Sequence, residues 1–271
     1  MKFLLAALAL SLGTVAAAQI SPPGLGRANN AFWSAVALRQ DLDSAEVWQS
    51  VSYIGHGRKS NPSDRDLFSK NVIWVLNQEF YKSLRNSWRI SFALSYRHQS
   101  QFDEADGQYF IAMPAYENEF RYYSRLSKSW KFGRWKIAPT LRQEIRRFYE
   151  PGFKEGNERL QFRTRLRLQA TYYLSANKVH RIVGGVESLF SGSIYGVKPA
   201  GSGFNYRETR LTLYYSIDPQ QFPVTFDIGY MNDLIGGPNA TSVHYFCVDL
   251  IYDDLFPLKS RRKKPVLDNM E

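Results

Sequence analysis

One cysteine and four histidines are all this chain of 271 residues offers for a covalent or metal staple. The lone Cys247 excludes an intramolecular disulfide framework. His56, His98, His180 and His244 are too scattered to form a zinc-type ligand set. Long apolar runs are missing too, and no segment approaches the roughly 20 apolar residues that a membrane helix needs. Nor does any segment carry a helical hydrophobic period. Gly24-Leu25-Gly26 and Gly236-Gly237-Pro238 lack the strand-to-helix context of a phosphate loop and read as turns. The acidic stretch Asp103 to Gly107 lacks the full calcium-loop pattern and reads as an acidic external loop. No cofactor or metal is therefore expected.

The chain does contain alternation. From Glu158 to Leu174, one parity holds Leu160, Phe162, Leu166, Leu168, Tyr172 and Leu174, and the other holds Arg159, Gln161, Arg163, Arg165, Arg167 and Gln169. Successive strand side chains point to opposite faces, so this stretch has one apolar and one cationic face. Its length is about three times the usual 5–6 residues of a strand. Such a two-faced strand suits a wall between lipid and a wet lumen.

The pattern recurs. Trp88, Ile90, Phe92, Leu94 and Tyr96 oppose Arg89, Ser91, Ser95 and Arg97, and Phe120, Tyr122 and Leu126 oppose Glu117, Glu119, Arg121 and Arg125. Further alternating segments lie around 135–145, 211–217, 222–230 and 246–252, with weaker ones at 31–40, 46–56, 70–82 and 178–190. Eleven segments result, joined by connections that are alternately short (near 41–45, 83–87, 129–133, 175–178 and 218–221) and long (near 57–69, 101–113, 150–157, 191–203 and 232–240). Short turns at one end and long loops at the other are the transmembrane-barrel pattern. The expected fold is all-β, a single antiparallel transmembrane β-barrel of about ten to twelve strands. With both termini periplasmic the count should be even, so residues 19–30 either add a strand or pass through the lumen, or one weak segment is not a strand.

The start of the chain fits export. Met1-Lys2 precedes an apolar stretch from Phe3 to Leu12, and Ala16-Ala17-Ala18 supplies a small-residue cleavage site before Gln19. Residues 1–18 read as a signal peptide, 19–30 as an N-terminal segment, 31–256 as an outer-membrane barrel and 257–271 as a basic periplasmic tail carrying KSRRKK. The setting is the outer membrane of a Gram-negative bacterium, where a mean hydropathy of -0.39 is no obstacle because half of each strand is polar. Aromatics at 15% suit two interfacial girdles. The formal charge of +10 points to lumen lining or to lipopolysaccharide phosphates; an exported chain has no nucleic acid to meet, and outer-membrane lipid is the expected surrounding.

The segments FWSAVALRQDL, SWRISFALSYR, YENEFRYYSRLSK, LRQEIRRFYEP and FNYRETRLTLYYSI resemble the domain-of-unknown-function family 2490, predicted outer-membrane barrels chiefly of Bacteroidota. The resemblance spans about residues 31–256 and implies the fold but no activity.

Two kinds of candidate residue emerge. Arg89, Arg97, Arg121, Arg125, Arg142, Arg146, Arg163, Arg165, Arg167 and Arg210 share the lumen parity with Glu79, Glu117, Glu119, Glu144, Glu187, Glu208 and Asp227. They read either as a cation-lined path for anions or as a packed ionic network, and a barrel of this strand number favours the network. The second kind is chemical. His98 and Ser100 lie near the external end of one strand, with Asn118 near that of the next, all on the lipid parity. The trio is similar to the outer-membrane phospholipase A family, in which Ser attacks a lipid ester, His takes its proton and Asn orients the imidazole. Gln101-Phe102 stands where that family continues with Asn-Gly, and no calcium ligands are evident. Ordinary polar residues at the headgroup level are the bland alternative, and the favoured expectation is a barrel with a structural or narrow transport role, or a scaffold for an envelope complex, rather than an enzyme.

Overall fold

The structure, a computed structural model, describes residues 20–195, 203–219, 221–237 and 240–256. The segments read as signal peptide (1–18) and as basic tail (257–271) lie outside the described residues. The chain forms β1 (Asn30–Asp41), β2 (Trp48–Lys59), β3 (Lys70–Ser83), β4 (Trp88–Ala105), β5 (Gln108–Lys128), β6 (Trp130–Phe132), β7 (Trp135–Glu150), β8 (Lys154–Tyr173), β9 (His180–Tyr195), β10 (Asn205–Ile217), β11 (Val224–Ile235) and β12 (Thr241–Asp253). β6 is only a short flap hairpinned onto β7, and β5 pairs directly with β7. The other eleven strands close into a barrel, within the expected range.

Closure corrects one expectation. Every barrel pairing is antiparallel except β1 with β12, which run parallel from Asn30 opposite His244 to Arg39 opposite Asp253. An odd count closes only if one neighbouring pair shares its direction, so the even-count requirement lapses. Both strands run from the loop end to the short-turn end. The chain therefore has to reach the loop end before β1 begins, and residues 20–29 take it there through the lumen.

That inner strap is buried at Ile20, Leu25 and Ala28. Arg167 donates to the Ser21 hydroxyl at 2.7 Å, Arg210 to the Pro22 carbonyl at 3.0 Å, and the Leu25 N–H donates to Tyr245 Oη at 2.8 Å. Higher up, Lys59 donates to the carbonyls of Leu25 and Arg27, and Asn29 donates to the Pro62 carbonyl at 2.8 Å. Pro22 and Pro23 cannot donate to a strand ladder, which suits a segment held from the sides.

Two stretches expected as long loops are strands. β4 continues to Ala105 and β5 starts at Gln108, so the acidic stretch is the tip of a tall hairpin; β7 and β8 are separated only by Pro151–Phe153. Weak alternation there is outweighed by the backbone hydrogen bonds that the facing strand supplies. A bulge between Ser100 and Phe102 breaks the β4–β5 register, and a bulge bends the strand that carries it. The hairpin tip meets the 60–69 loop, with Ser63 N–H donating to the Gly107 carbonyl at 2.9 Å and Tyr109 N–H to Asn61 Oδ1 at 3.1 Å. Tyr109 Oη donates to the Arg27 carbonyl, so hairpin and strap meet across the loop-end mouth. At the other end, Phe256 follows β12 rather than ending it, its backbone bonded to Gln40.

The outward face carries exposed Leu, Ile, Val and Phe between two aromatic girdles. Trp48, Trp88, Trp130 and Trp135 lie near the short turns, with Lys82 4.9 Å over Trp48 and Lys128 5.1 Å over Trp88. Trp74, Tyr116, Tyr149 and Tyr206 lie toward the loop end. From Trp88 to His98 the strand rises roughly 33 Å, or about 25 Å along the axis at the usual tilt, the height of a membrane barrel's apolar band.

Candidate functional site

Inside, the walls present alternate residues as the parity reading required. Of the charges named from sequence, Arg97, Arg121, Arg142, Arg146, Arg165, Arg210, Glu79, Glu119, Glu144, Glu187 and Asp227 are buried, and Arg89, Arg125, Arg163, Arg167, Glu117 and Glu208 are half-buried.

β5, β7 and β8 set arginines directly opposite one another: Arg121 faces Arg146, Arg125 faces Arg142, and Arg142 faces Arg165. Like charges across a ladder repel, so this register needs carboxylates on the diagonals. Glu119 and Glu144 occupy them. Glu119 accepts from Arg121 Nε at 2.7 Å and from Arg146 through Nε at 2.8 Å and Nη2 at 2.6 Å. Glu144 is held by Arg142 Nε at 2.7 Å, Arg165 Nε at 2.6 Å and Arg121 Nη1 at 3.1 Å, and its side chain is fully enclosed. Arg165 reaches on to Glu187 at 3.0 Å, and Arg210 lies 3.9 Å from Glu187, 3.5 Å from Asp233 and in contact with Glu208. One ionic chain thus runs from β5 to β11 across the inner wall.

Toward the short turns the network becomes Arg125 on Glu79 at 3.1 Å, with Arg142 stacked 3.6 Å over the Tyr123 ring and Arg89 3.9 Å over Tyr81. Arg89 also donates to Gln49 at 2.6 Å. Arg97, Arg163 and Glu117 point inward with no ion pair among the described residues. Across the lumen, Asp227 lies opposite Asp249 in the β11–β12 ladder. Asp233, Asp249 and Trp33 are enclosed with them but were not singled out from sequence. Their parity on β11, β12 and β1 was the available signal. The strap's signal was the odd strand count, which already offered residues 19–30 a path through the lumen.

The outward trio is only partly assembled. His98 Nδ1 lies 3.0 Å from Asn118 Oδ1, which also accepts from Tyr96 Oη at 2.8 Å, and the His98 ring packs 4.6 Å from that of Tyr116. Ser100 makes no hydrogen bond with His98 or Asn118 among the described residues. Beside Tyr96 and Phe120, a shallow depression of about 560 Å³ on the outer wall is lined by Val36, Ile54, Leu76 and Leu94. The His98 bond is not distinctive, however. His56 meets Asn71 at 2.6 Å, His180 meets Tyr215 at 2.7 Å and His244 meets Tyr230 at 2.6 Å. All four histidines are thus satisfied in the same way on the outward face, as polar groups near a membrane interface must be.

No family model matches the chain, so the likeness to family 2490 rests on the quoted segments alone. No curated protein matches it either. Among solved structures it is similar to "Outer-membrane expressed OmpT of Vibrio cholerae", at 9% identity and a TM-score of 0.35, over 69% of this chain. It spans about half, 54%, of that protein's length, and a likeness so distant says nothing of what this chain binds or does. What its own residues establish is a closed β-barrel of the membrane type with a buried Arg/Glu network along its inner wall.

Proposed function

We propose that this chain is exported through a cleaved signal peptide to a Gram-negative outer membrane and works there as a sealed barrel, a structural or scaffolding element rather than an open pore. The observations that carry the reading are the ionic chain lining the inner wall and the strap held beside it inside the barrel. An ionic chain spans β5 to β11, and the strap threads past it to a mouth capped by the β4–β5 hairpin. Eleven strands are also far from the 16–18 at which open aqueous channels become usual. Outer-membrane lipid surrounds the outward band, and lipopolysaccharide phosphates are the partners that a net charge of +10 suits.

Planar bilayers should show no unitary current for the pure protein, while replacing residues 20–28 by Gly-Ser repeats should admit small solutes in liposome swelling. Steady conductance from the unaltered protein would overturn the sealed reading. A scaffold also predicts that another envelope protein co-purifies after mild detergent extraction.

The His98–Asn118 bond beside an apolar depression favours a second reading, a lipid esterase with Ser100 as nucleophile. Phospholipid turnover by the pure protein, abolished in Ser100→Ala, is its required result. If the parent protein turns over no phospholipid, the esterase is excluded.

A further inference from the structure

Glu119 and Glu144 are fully subscribed, and the two arginines set directly opposite them are left over. Arg97 sits directly opposite Glu119 in the β4–β5 ladder, the position from which it would pair. Glu119 is instead held through both oxygens by Arg121 and Arg146. Arg163 likewise sits opposite Glu144, which three other arginines already hold. Among the described residues Arg163 keeps only a 3.1 Å bond to Gln161, whose Oε1 also accepts from Arg146. Arg97, only 7% exposed, has no hydrogen bond, ion pair or ring contact among the described residues. Glu117, two residues from Glu119 and also inward-facing, is bonded to neither arginine.

A guanidinium cannot shed its charge, and a buried charge without a partner is costly. Its planar fork of donors suits oxyanions, which it grips through paired hydrogen bonds. We infer that the lumen holds a binding site for a small oxyanion, phosphate or carboxylate, on Arg97 and Arg163, the two arginines the internal carboxylates leave unsatisfied. The inference rests on the barrel being closed around this network. The anion would complete the wall rather than pass along it.

The test uses the full-length protein in detergent, incubated overnight with inorganic phosphate, acetate or chloride at equal pH and ionic strength. Phosphate or acetate should raise the melting temperature saturably above chloride, by about 5 °C or more at a hundredfold excess over Kd. The Arg97→Met/Arg163→Met variant should lose that rise, and in chloride it should melt no lower than the parent, since two unpaired charges are gone. Arg97→Met alone should weaken phosphate binding at least tenfold by calorimetry. If neither anion exceeds chloride on the parent protein, the site is refuted whether or not the variants fold. An undiminished rise in the double variant refutes it equally. In both cases an unchanged heat-modifiable band and absent conductance would leave the sealed barrel standing.

Discussion

Glu144→Gln should destabilise the barrel by about 3–5 kcal/mol, the largest effect expected of any single charge. The replacement preserves shape, so no cavity is opened and the loss reports the charge together with the acceptor oxygen that the amide takes away. Three arginines bind Glu144 at 2.6–3.1 Å, and its side chain has no exposure. Neutralising it leaves Arg121 leaning on Glu119, Arg165 on Glu187 and Arg142 with only the Tyr123 ring. It also uncovers the repulsion that the register builds in by facing Arg142 with Arg165. Glu155→Gln is the matched control, since its pairs with Arg147 and Arg159 are about half exposed. An exposed pair of that kind contributes at most about 1 kcal/mol. Urea unfolding in lipid vesicles measures both. Equal midpoints for the two variants would mean that the lumen network carries no special share of the stability.

The second large effect concerns a small residue. Gly55→Val should lower stability by about 1–3 kcal/mol or more, because a Cβ at residue 55 has nowhere to go. It would lie 2.3 Å from Trp33 Cη2 and 2.4 Å from Cζ2. The Trp33 indole is fully enclosed and lies across the Gly55 backbone from the neighbouring strand, so it cannot swing away. Gly184→Val should be tolerated, since the nearest atom to its added Cβ is the Thr212 carbonyl at 3.9 Å. The temperature at which each variant loses its compact gel band separates the two cases. A Gly184 variant that melts as early as the Gly55 variant would show that strand propensity, not the indole contact, is what glycine serves here.

Much of the wall was legible beforehand. The alternation from Glu158 to Leu174 became β8, with Arg163, Arg165 and Arg167 inside and Phe162, Leu166 and Leu168 outside. The loop end was misjudged at 101–113 and 150–157, where charged and turn-forming residues disguise the upper parts of β4, β5, β7 and β8. For the outward trio the sequence placed His98 and Asn118 on one face, and their bond follows from the ladder that sets them opposite each other. It did not show that the other three histidines are bound in the same manner, because it is strand register that brings Asn71, Tyr215 and Tyr230 beside them.

Side-chain parity is a local property with a period of two residues, so the sequence by itself determined the strands, their lipid and lumen faces and the sign of the charges on each. Register and closure are not local. They depend on which edges meet and with what offset, and only the tertiary structure decided that β1 joins β12 in parallel with the strap threaded through the barrel. The same offset decided which arginines reach a carboxylate. Glu119 and Glu144 reach Arg121, Arg142, Arg146 and Arg165 along their own strands or across a diagonal, while Arg97 and Arg163, of identical chemistry and parity, stand directly opposite and go without a carboxylate.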